Sequence, residues 1–287
     1  MDSGATKARD YPFWCRRVGD IKLESMIRGK GMIEFQENSL KAKVGQYWQA
    51  NPCGIKVTKK PAYTAEWSEE IEEGRYAREP FVHAFAQFTR WRGRRVLEIG
   101  CGAGTDCLQF ARAGAETYAI DLTERAVEIT HKRLDINGLS ANISMADAEA
   151  LPFEDNIFDL VYSWGVLHHT PNTQKAIAEV YRVLKPGGRI VFMLYHKRSI
   201  IAYRLYLRYG LRAGRPFRKL ADILANHMES PGTKAYILPE LRWMFSQFSN
   251  LLLQPVLTPY DIERFPNWSR PWFPNACGWF VVIRGSK

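Results

Sequence analysis

The stretch Val96-Leu-Glu-Ile-Gly-Cys-Gly-Ala-Gly-Thr-Asp106 constrains the fold more than any other. Val96, Leu97 and Ile99 lie between charge on one side and glycine on the other, which reads as a buried strand of a parallel sheet. Glycines follow at 100, 102 and 104, and an apolar helical pattern begins at Cys107, with Leu108, Phe110 and Ala111. The glycines therefore mark a sharp turn from strand into helix. Glycine permits positive φ there and lets a ligand approach the backbone closely. The helix N-terminus beyond offers unpaired N–H groups. A dinucleotide turn needs G-x-G-x-x-G. Counted from Gly100 and Gly102, the last glycine would fall at position 105, which is Thr105. That disfavours a nicotinamide oxidoreductase and leaves another nucleoside ligand.

The chain after this turn alternates. Strands are predicted at 95–100, 116–121, 142–146, 158–164, 189–195, 251–257 and 278–284. Helices are predicted at about 105–113, from Thr123 to a C-cap at Asn137-Gly138, at 173–184 and at 239–248. Such alternation implies right-handed crossovers and a parallel sheet. The expected fold is α/β: a doubly wound, mostly parallel, seven-stranded Rossmann-like sheet. Residues 93–287 would form this core, with 196–235 as a basic helical insertion after strand 5. Residues 1–92 would form an N-terminal extension and an aromatic-rich lid. In the lid, Ser68 and early acids suggest a helix start near Trp67, and Pro80 suggests a second. Residues 1 to about 45 fit either a flexible tail or a strand pair.

Ligands of open α/β sheets bind beyond the carboxyl ends of the strands, where strand order reverses. Asp121 ends strand 2, where a carboxylate can accept from both hydroxyls of a ribose. Asp147 and Ala148 follow strand 3. Tyr162-Ser-Trp-Gly-Val-Leu-His-His169 ends strand 4, and Tyr195-His196 ends strand 5. The spacing Glu98-x-Gly100-x-Gly102-x-Gly104, the acids at 121 and 147, Leu-Pro-Phe153, Leu167-His-His169 and Lys185-Pro-Gly-Gly188 together resemble the class I S-adenosylmethionine-dependent methyltransferases. The likeness is to their type-11 family, whose core includes the ubiquinone and menaquinone biosynthesis methyltransferases.

That resemblance, carried by about 94–195, implies S-adenosylmethionine as methyl donor and S-adenosylhomocysteine as product. It implies cofactor contacts from Glu98, Gly100, Cys101, Gly102, Gly104, Asp121, Leu122, Asp147, Ala148, Ser163 and Trp164. His168, His169, Tyr195 and His196 are candidates for orienting or deprotonating the acceptor, although each also suits packing or helix capping. Tyr47, Trp48, Tyr76 and Tyr203 are candidates for the lid and the substrate side. No metal is expected. The reading is an enzyme that methylates a small molecule (a natural product, lipid or glycan), at oxygen or nitrogen. An RNA or tRNA methyltransferase and a non-catalytic interaction module are the alternatives.

Charge narrows the partners. The 287 residues carry a net charge of +10. Between Val180 and Ala221 there is no Asp or Glu, but there are Arg182, Lys185, Arg189, Lys197, Arg198, Arg204, Arg208, Arg212, Arg215, Arg218 and Lys219. A local basic segment speaks to a partner more than a diffuse excess does. Arg204, Arg208 and Arg212 form one helical stripe among Tyr and Leu residues, which suggests a peripheral membrane or anionic-substrate contact through 198–219. No separate RNA-binding motif accompanies it, so nucleic acid is not the expected partner. The start of the chain lacks an apolar signal region, no apolar run approaches the roughly 18 residues of a membrane span, and the five cysteines lack metal or disulfide spacing. A cytoplasmic location is expected.

Overall fold

The structure is a computed structural model that describes residues 39–287. The expectations for residues 1 to about 45 lie almost wholly outside that range.

Two helices precede the sheet: α1 (Leu40–Ala50) and α2 (Ala65–Arg78), followed by a single turn, α3 (Val82–Ala86). The core then runs β1 (Arg95–Ile99), α4 (Thr105–Arg112), β2 (Glu116–Asp121), α5 (Glu124–Ile136), β3 (Asn142–Met145), β4 (Phe158–Trp164), α6 (Thr173–Val183) and β5 (Leu184–Tyr195). The insertion contributes α7 (Ile200–Tyr206), a π-turn (Leu207–Leu211) and α8 (Leu220–His227). The chain closes with α9 (Leu238–Met244), β6 (Ser249–Val256), α10 (Pro259–Ile262) and β7 (Phe280–Ser286).

The seven strands form one sheet in the order β3-β2-β1-β4-β5-β7-β6. Strands β1 to β5 pair in parallel, and β7 runs against both of its neighbours. The chain works outward from β1 to β3 and then returns to β4, so the strand order reverses between β1 and β4. A crevice forms where the crossovers depart to opposite sides of such a point.

Alternation along the strands builds both faces. In β5, Ile190, Phe192 and Leu194 pack with Ile177 and Val180 of α6 and Leu241 of α9. Val191, Met193 and Tyr195 turn to the other side, with Phe85, Phe88, Trp91, Phe110 and Leu224. All of these side chains are buried, so the sheet is covered on both faces. Among the described residues no helix is long and apolar enough to cross a membrane.

Three local expectations are corrected. The first lid helix is capped by Thr64, whose Oγ1 accepts from the Trp67 N–H at 3.2 Å. Ser68 instead lies inside α2, buried against Arg133. Pro80 does not itself start a helix: α3 begins at Val82 and stops after five residues, where Gln87 takes the left-handed conformation (φ 51°). Strand β5 starts at Leu184, earlier than predicted, because Leu184 already pairs with Phe158 of β4; the Lys185-Pro-Gly-Gly188 segment then shifts the register before pairing resumes between Arg189 and Leu160.

Arg133 on α5 is wholly buried, and it forms no direct ion pair with a carboxylate among the described residues, although Glu72 and Asp106 favour its charge from further away. Its guanidinium donates to Ser68 Oγ (3.0 Å), Ser68 O (2.8 Å), Ala103 O (2.7 Å) and Thr105 Oγ1 (2.8 Å). Burial lowers its pKa to about 10, which leaves it charged at neutral pH. It thereby ties α2, α5 and the glycine turn together. Replacing Arg133 with Leu removes the donors while the acceptors stay buried, and should lower unfolding free energy by about 3 kcal/mol. Chemical denaturation checks this; a loss below about 0.5 kcal/mol, the size of an ordinary surface substitution, would contradict the clamp.

Candidate active site

A cavity of about 550 Å³ opens beyond the carboxyl ends of β1, β2, β4 and β5. Helices α1 and α2 cover one side of it, and Ile201, Met228 and Glu229 of the insertion reach it from the other. The protein is strongly basic, yet this cavity is acidic. Glu79, Glu98, Asp106, Asp121, Asp147 and Glu229 line it against Lys41, Arg75 and Arg78.

The glycine turn forms the floor. Gly100 has φ +81°, and a Cβ there would come within 2.2 Å of Val166. Gly102 has φ +54°, and a Cβ there would meet only Cys53, at 3.8 Å, so its side toward the cavity is open for a ligand. The Gly102 N–H donates to Asp121 Oδ2 at 3.1 Å. The other carboxylate oxygen of Asp121 accepts from Thr123 N–H (3.0 Å) and Thr123 Oγ1 (2.9 Å). The carboxylate is thus fixed in place, and Oδ2 retains capacity for a further donor.

Glu98 supplies the clearest sign of a missing ligand. It is buried, it lines the cavity, and its Oε2 has no hydrogen-bond partner among the described residues. Burial, reinforced by Asp106, holds its carboxyl well above the usual carboxylate range. A buried acceptor left unpaired is costly, and a cationic donor entering the cavity would satisfy it. S-adenosylmethionine carries an ammonium and a ribose diol, so Glu98, the open face at Gly102 and Asp121 together fit it. At the far end of the site, Asp147 Oδ2 accepts from Lys41 Nζ at 2.6 Å, and Glu149 Oε2 accepts from the same ammonium at 2.7 Å. Burial opposes the charge on Lys41, but the two carboxylates outweigh it and raise its pKa. Helix α1 is therefore fastened over the Asp147–Ala148 corner.

A second network joins lid to core. Asp106, in the first turn of α4, accepts from Tyr76 Oη (2.8 Å), Tyr162 Oη (2.7 Å) and Arg75 Nη2 (3.4 Å). Arg75 also pairs with Glu79 at 2.5 Å, and Glu79 accepts from Trp164 Nε1 at 2.8 Å. The Trp164 indole stands at the cavity wall, parallel to the Tyr162 ring with centroids 6.0 Å apart.

Trp164, Tyr195, Trp279 and Phe280 give the cavity an aromatic wall. Tyr195 donates to Glu229 Oε2 at 2.8 Å. Glu229 keeps 46% of its side-chain surface accessible, yet it sits recessed within the cavity; the enclosing walls raise its carboxyl above the usual range despite the bond from Tyr195. Burial and Glu229 push the Tyr195 phenol well up, so the pair holds its proton on the tyrosine. The His169 Nε2 lies 3.6 Å from Glu229, while Nδ1 meets Ser230 Oγ at 2.8 Å and Thr233 Oγ1 at 3.1 Å. Burial, then Lys234, depress His169 to about 3, so its ring is neutral.

Several predicted site residues lie elsewhere. Strand alternation sends Ser163 away from Trp164, and its hydroxyl donates to Ile99 O at 3.1 Å. His168 is fully buried beneath the Tyr195 ring, centroids 3.7 Å apart, with both ring nitrogens unpaired among the described residues. His196 is buried, with Nδ1 at 3.2 Å from Gly278 O. Gly104 faces Thr130. Tyr76 serves Asp106, and Tyr47 packs edge-on against Trp48, which does line the cavity. Tyr203 is 59% exposed and away from the cavity. Conversely, Glu98, Gly100, Cys101, Gly102, Asp121, Leu122, Asp147, Ala148, Trp164, His169 and Tyr195 all line it. Lys41, Arg75, Glu79, Asp106 and Glu229 were not singled out from sequence. Only Asp106, an acid in the first turn after the glycines, carried a local signal there.

Asp121→Ala should weaken S-adenosylmethionine binding about 10- to 100-fold, the worth of hydrogen bonds to a charged group. Calorimetric titration reads this, and an unchanged affinity would remove Asp121 from the cofactor site.

Known proteins agree with this geometry. A family model described as a methyltransferase domain matches residues 97–192. The demethylmenaquinone methyltransferase of Tropheryma whipplei is 34% identical over 151 residues, covering 47% of this chain and 62% of that protein. The demethylmenaquinone methyltransferase of Renibacterium salmoninarum is 30% identical over 174 residues, covering 56% of this chain and 69% of that protein. The match to the first of these thus spans less than two thirds of that relative's length. The solved structure of the cyclase SpnF superposes with a TM-score of 0.57 at 19% identity, over 87% of this chain and 97% of that one. The chain belongs to the class I S-adenosylmethionine-dependent methyltransferases.

Proposed function

We infer that the protein transfers a methyl group to a small-molecule acceptor, a natural product, lipid or glycan, at an oxygen or nitrogen atom. The observation that carries this reading is Glu229. It is a carboxylate open to the cavity, held by Tyr195 and set across an aromatic chamber from the glycine turn. The fold alone leaves the acceptor undetermined, since one architecture hosts many reactions.

When bound, S-adenosylmethionine supplies a methyl group made electrophilic by the positive sulfur. The protein has to hold the acceptor in line with that methyl and exclude water, and positioning of this kind supplies much of the acceleration. Trp164, Tyr195, Trp279 and Phe280 provide apolar walls. The acidic lining favours a cation in the cavity by simple attraction. An acceptor hydroxyl or amine that takes up the methyl group would have to give up a proton. Glu229, a carboxylate at the cavity wall, would take it. Tyr195, which keeps its own proton, orients that carboxylate.

A protonated Glu229 cannot accept a proton, and its pKa lies above the ordinary 4.5. Turnover should therefore rise with pH through a limb displaced upward from that value. Glu229→Gln should lower kcat by about 10²- to 10⁴-fold, the usual worth of general base catalysis, and remove the acidic limb, while S-adenosylmethionine affinity stays within about twofold. The assay is incubation with panels of alcohol and amine acceptors, read as a mass gain of one methyl group. An unchanged kcat in Glu229→Gln would overturn the role given to this residue.

A further inference from the structure

We propose that residues 203–219 form a docking surface for a bilayer that carries anionic lipid. Helix α7 and the π-turn after it present Tyr203, Leu207 and Leu211 at four-residue spacing, exposed by 59%, 41% and 49%. Phe217 follows at 96% exposure. A second stripe, Arg204, Arg208 and Arg212, runs one residue along, and Arg215 and Lys219 continue it.

A solvated helix face would place leucine inward and mix carboxylates among the basic residues. This face does neither. The nearest acid in sequence is Asp222, which pairs with Arg218. Arg208, Arg212, Arg215 and Lys219 are exposed and form no ion pair with any described residue. Exposed leucine and phenylalanine beside unpaired guanidinium groups match the boundary between headgroups and acyl chains. There apolar side chains enter the boundary while long basic side chains reach the phosphates.

The other side of the insertion gives the surface a purpose. Ala202 is buried, Ile201 reaches the cavity wall, and Met228 and Glu229 after α8 line the cavity too. A protein seated on a membrane through 203–219 would thus hold its acceptor chamber next to the lipid phase. An apolar acceptor could enter that chamber without crossing water. The inference concerns where the protein sits, and its test needs no turnover, so it stands or falls separately from the atom methylated.

The test is co-sedimentation of the full chain with phosphatidylcholine vesicles, with and without phosphatidylglycerol. The expected result is pelleting with the phosphatidylglycerol vesicles alone at low salt and release at high salt. Removing Arg208, Arg212, Arg215 and Lys219 as Gln substitutions should lower partitioning by about fivefold per charge. The triple variant Leu207→Asp, Leu211→Asp, Phe217→Asp should abolish pelleting while S-adenosylhomocysteine affinity, the check on folding, is unchanged. Equal pelleting with neutral vesicles, no pelleting with either kind, or wild-type behaviour of both variants would overturn the proposal. So would salt-sensitive retention of RNA in place of vesicles.

Discussion

Two buried charged side chains hold the β1–α4 turn from opposite sides. Arg133 reaches it from α5 and saturates Ala103 O and Thr105 Oγ1. Asp106, within the first turn of α4, collects Tyr76, Tyr162 and Arg75. A buried charge is tolerable only when its hydrogen-bonding capacity is met. Each of these charges therefore demands that its partners stay in place, and those partners lie on the lid, the sheet and the neighbouring helix. The glycines at 100, 102 and 104 let the backbone make the turn, and the buried charges fix where it lies. Disturbing either charge would loosen lid and cofactor floor together.

Charge is segregated in this molecule. Six carboxylates line the cavity against three basic side chains, whereas residues 203–219 of the insertion carry basic residues and no carboxylate. A cavity with acidic walls in a basic protein concentrates a cationic ligand where it is needed. It also raises several groups, Glu98 and Glu229 among them, above their usual range. The two carboxylates have different surroundings and different uses. Glu98 is buried at the cavity wall with its Oε2 unpartnered among the described residues, and calls for a donor. Glu229 is open to the chamber and steadied by a phenol, and is suited to receive a proton. The aromatic groups between them, Trp164 and Tyr195, come from the ends of adjacent strands β4 and β5.

The half of the site built by consecutive strand ends was legible in the sequence. Glu98 and Asp121 lie at the ends of β1 and β2 and Asp147 lies just beyond β3, and short apolar runs followed by glycine or a capping residue mark the first two of these ends. Contacts between distant segments were not legible. Lys41 meets Asp147 across the lid, Arg133 meets Ser68 across two helices, and Tyr195 meets Glu229 from the insertion. No local pattern announces these pairs. Ser68 illustrates the ambiguity: a serine near a helix start reads as a cap, but Thr64 holds that position and Ser68 belongs to the Arg133 clamp. The histidines at 168 and 169 carried the opposite hazard. Their ionisable rings suggested chemistry, yet burial keeps both neutral and places only His169 at the cavity wall.

The central claim is that the orphaned Glu98 and the fixed Asp121 make this cavity a cradle for S-adenosylmethionine. Calorimetric titration with S-adenosylhomocysteine, run in parallel with NAD and repeated in buffers of different ionisation enthalpy, tests it most directly. The account predicts one tight site for S-adenosylhomocysteine, with proton release as its ammonium draws Glu98 to the carboxylate form, and no site for NAD. Absence of binding, binding of NAD, or proton release that persists in Glu98→Gln would contradict it.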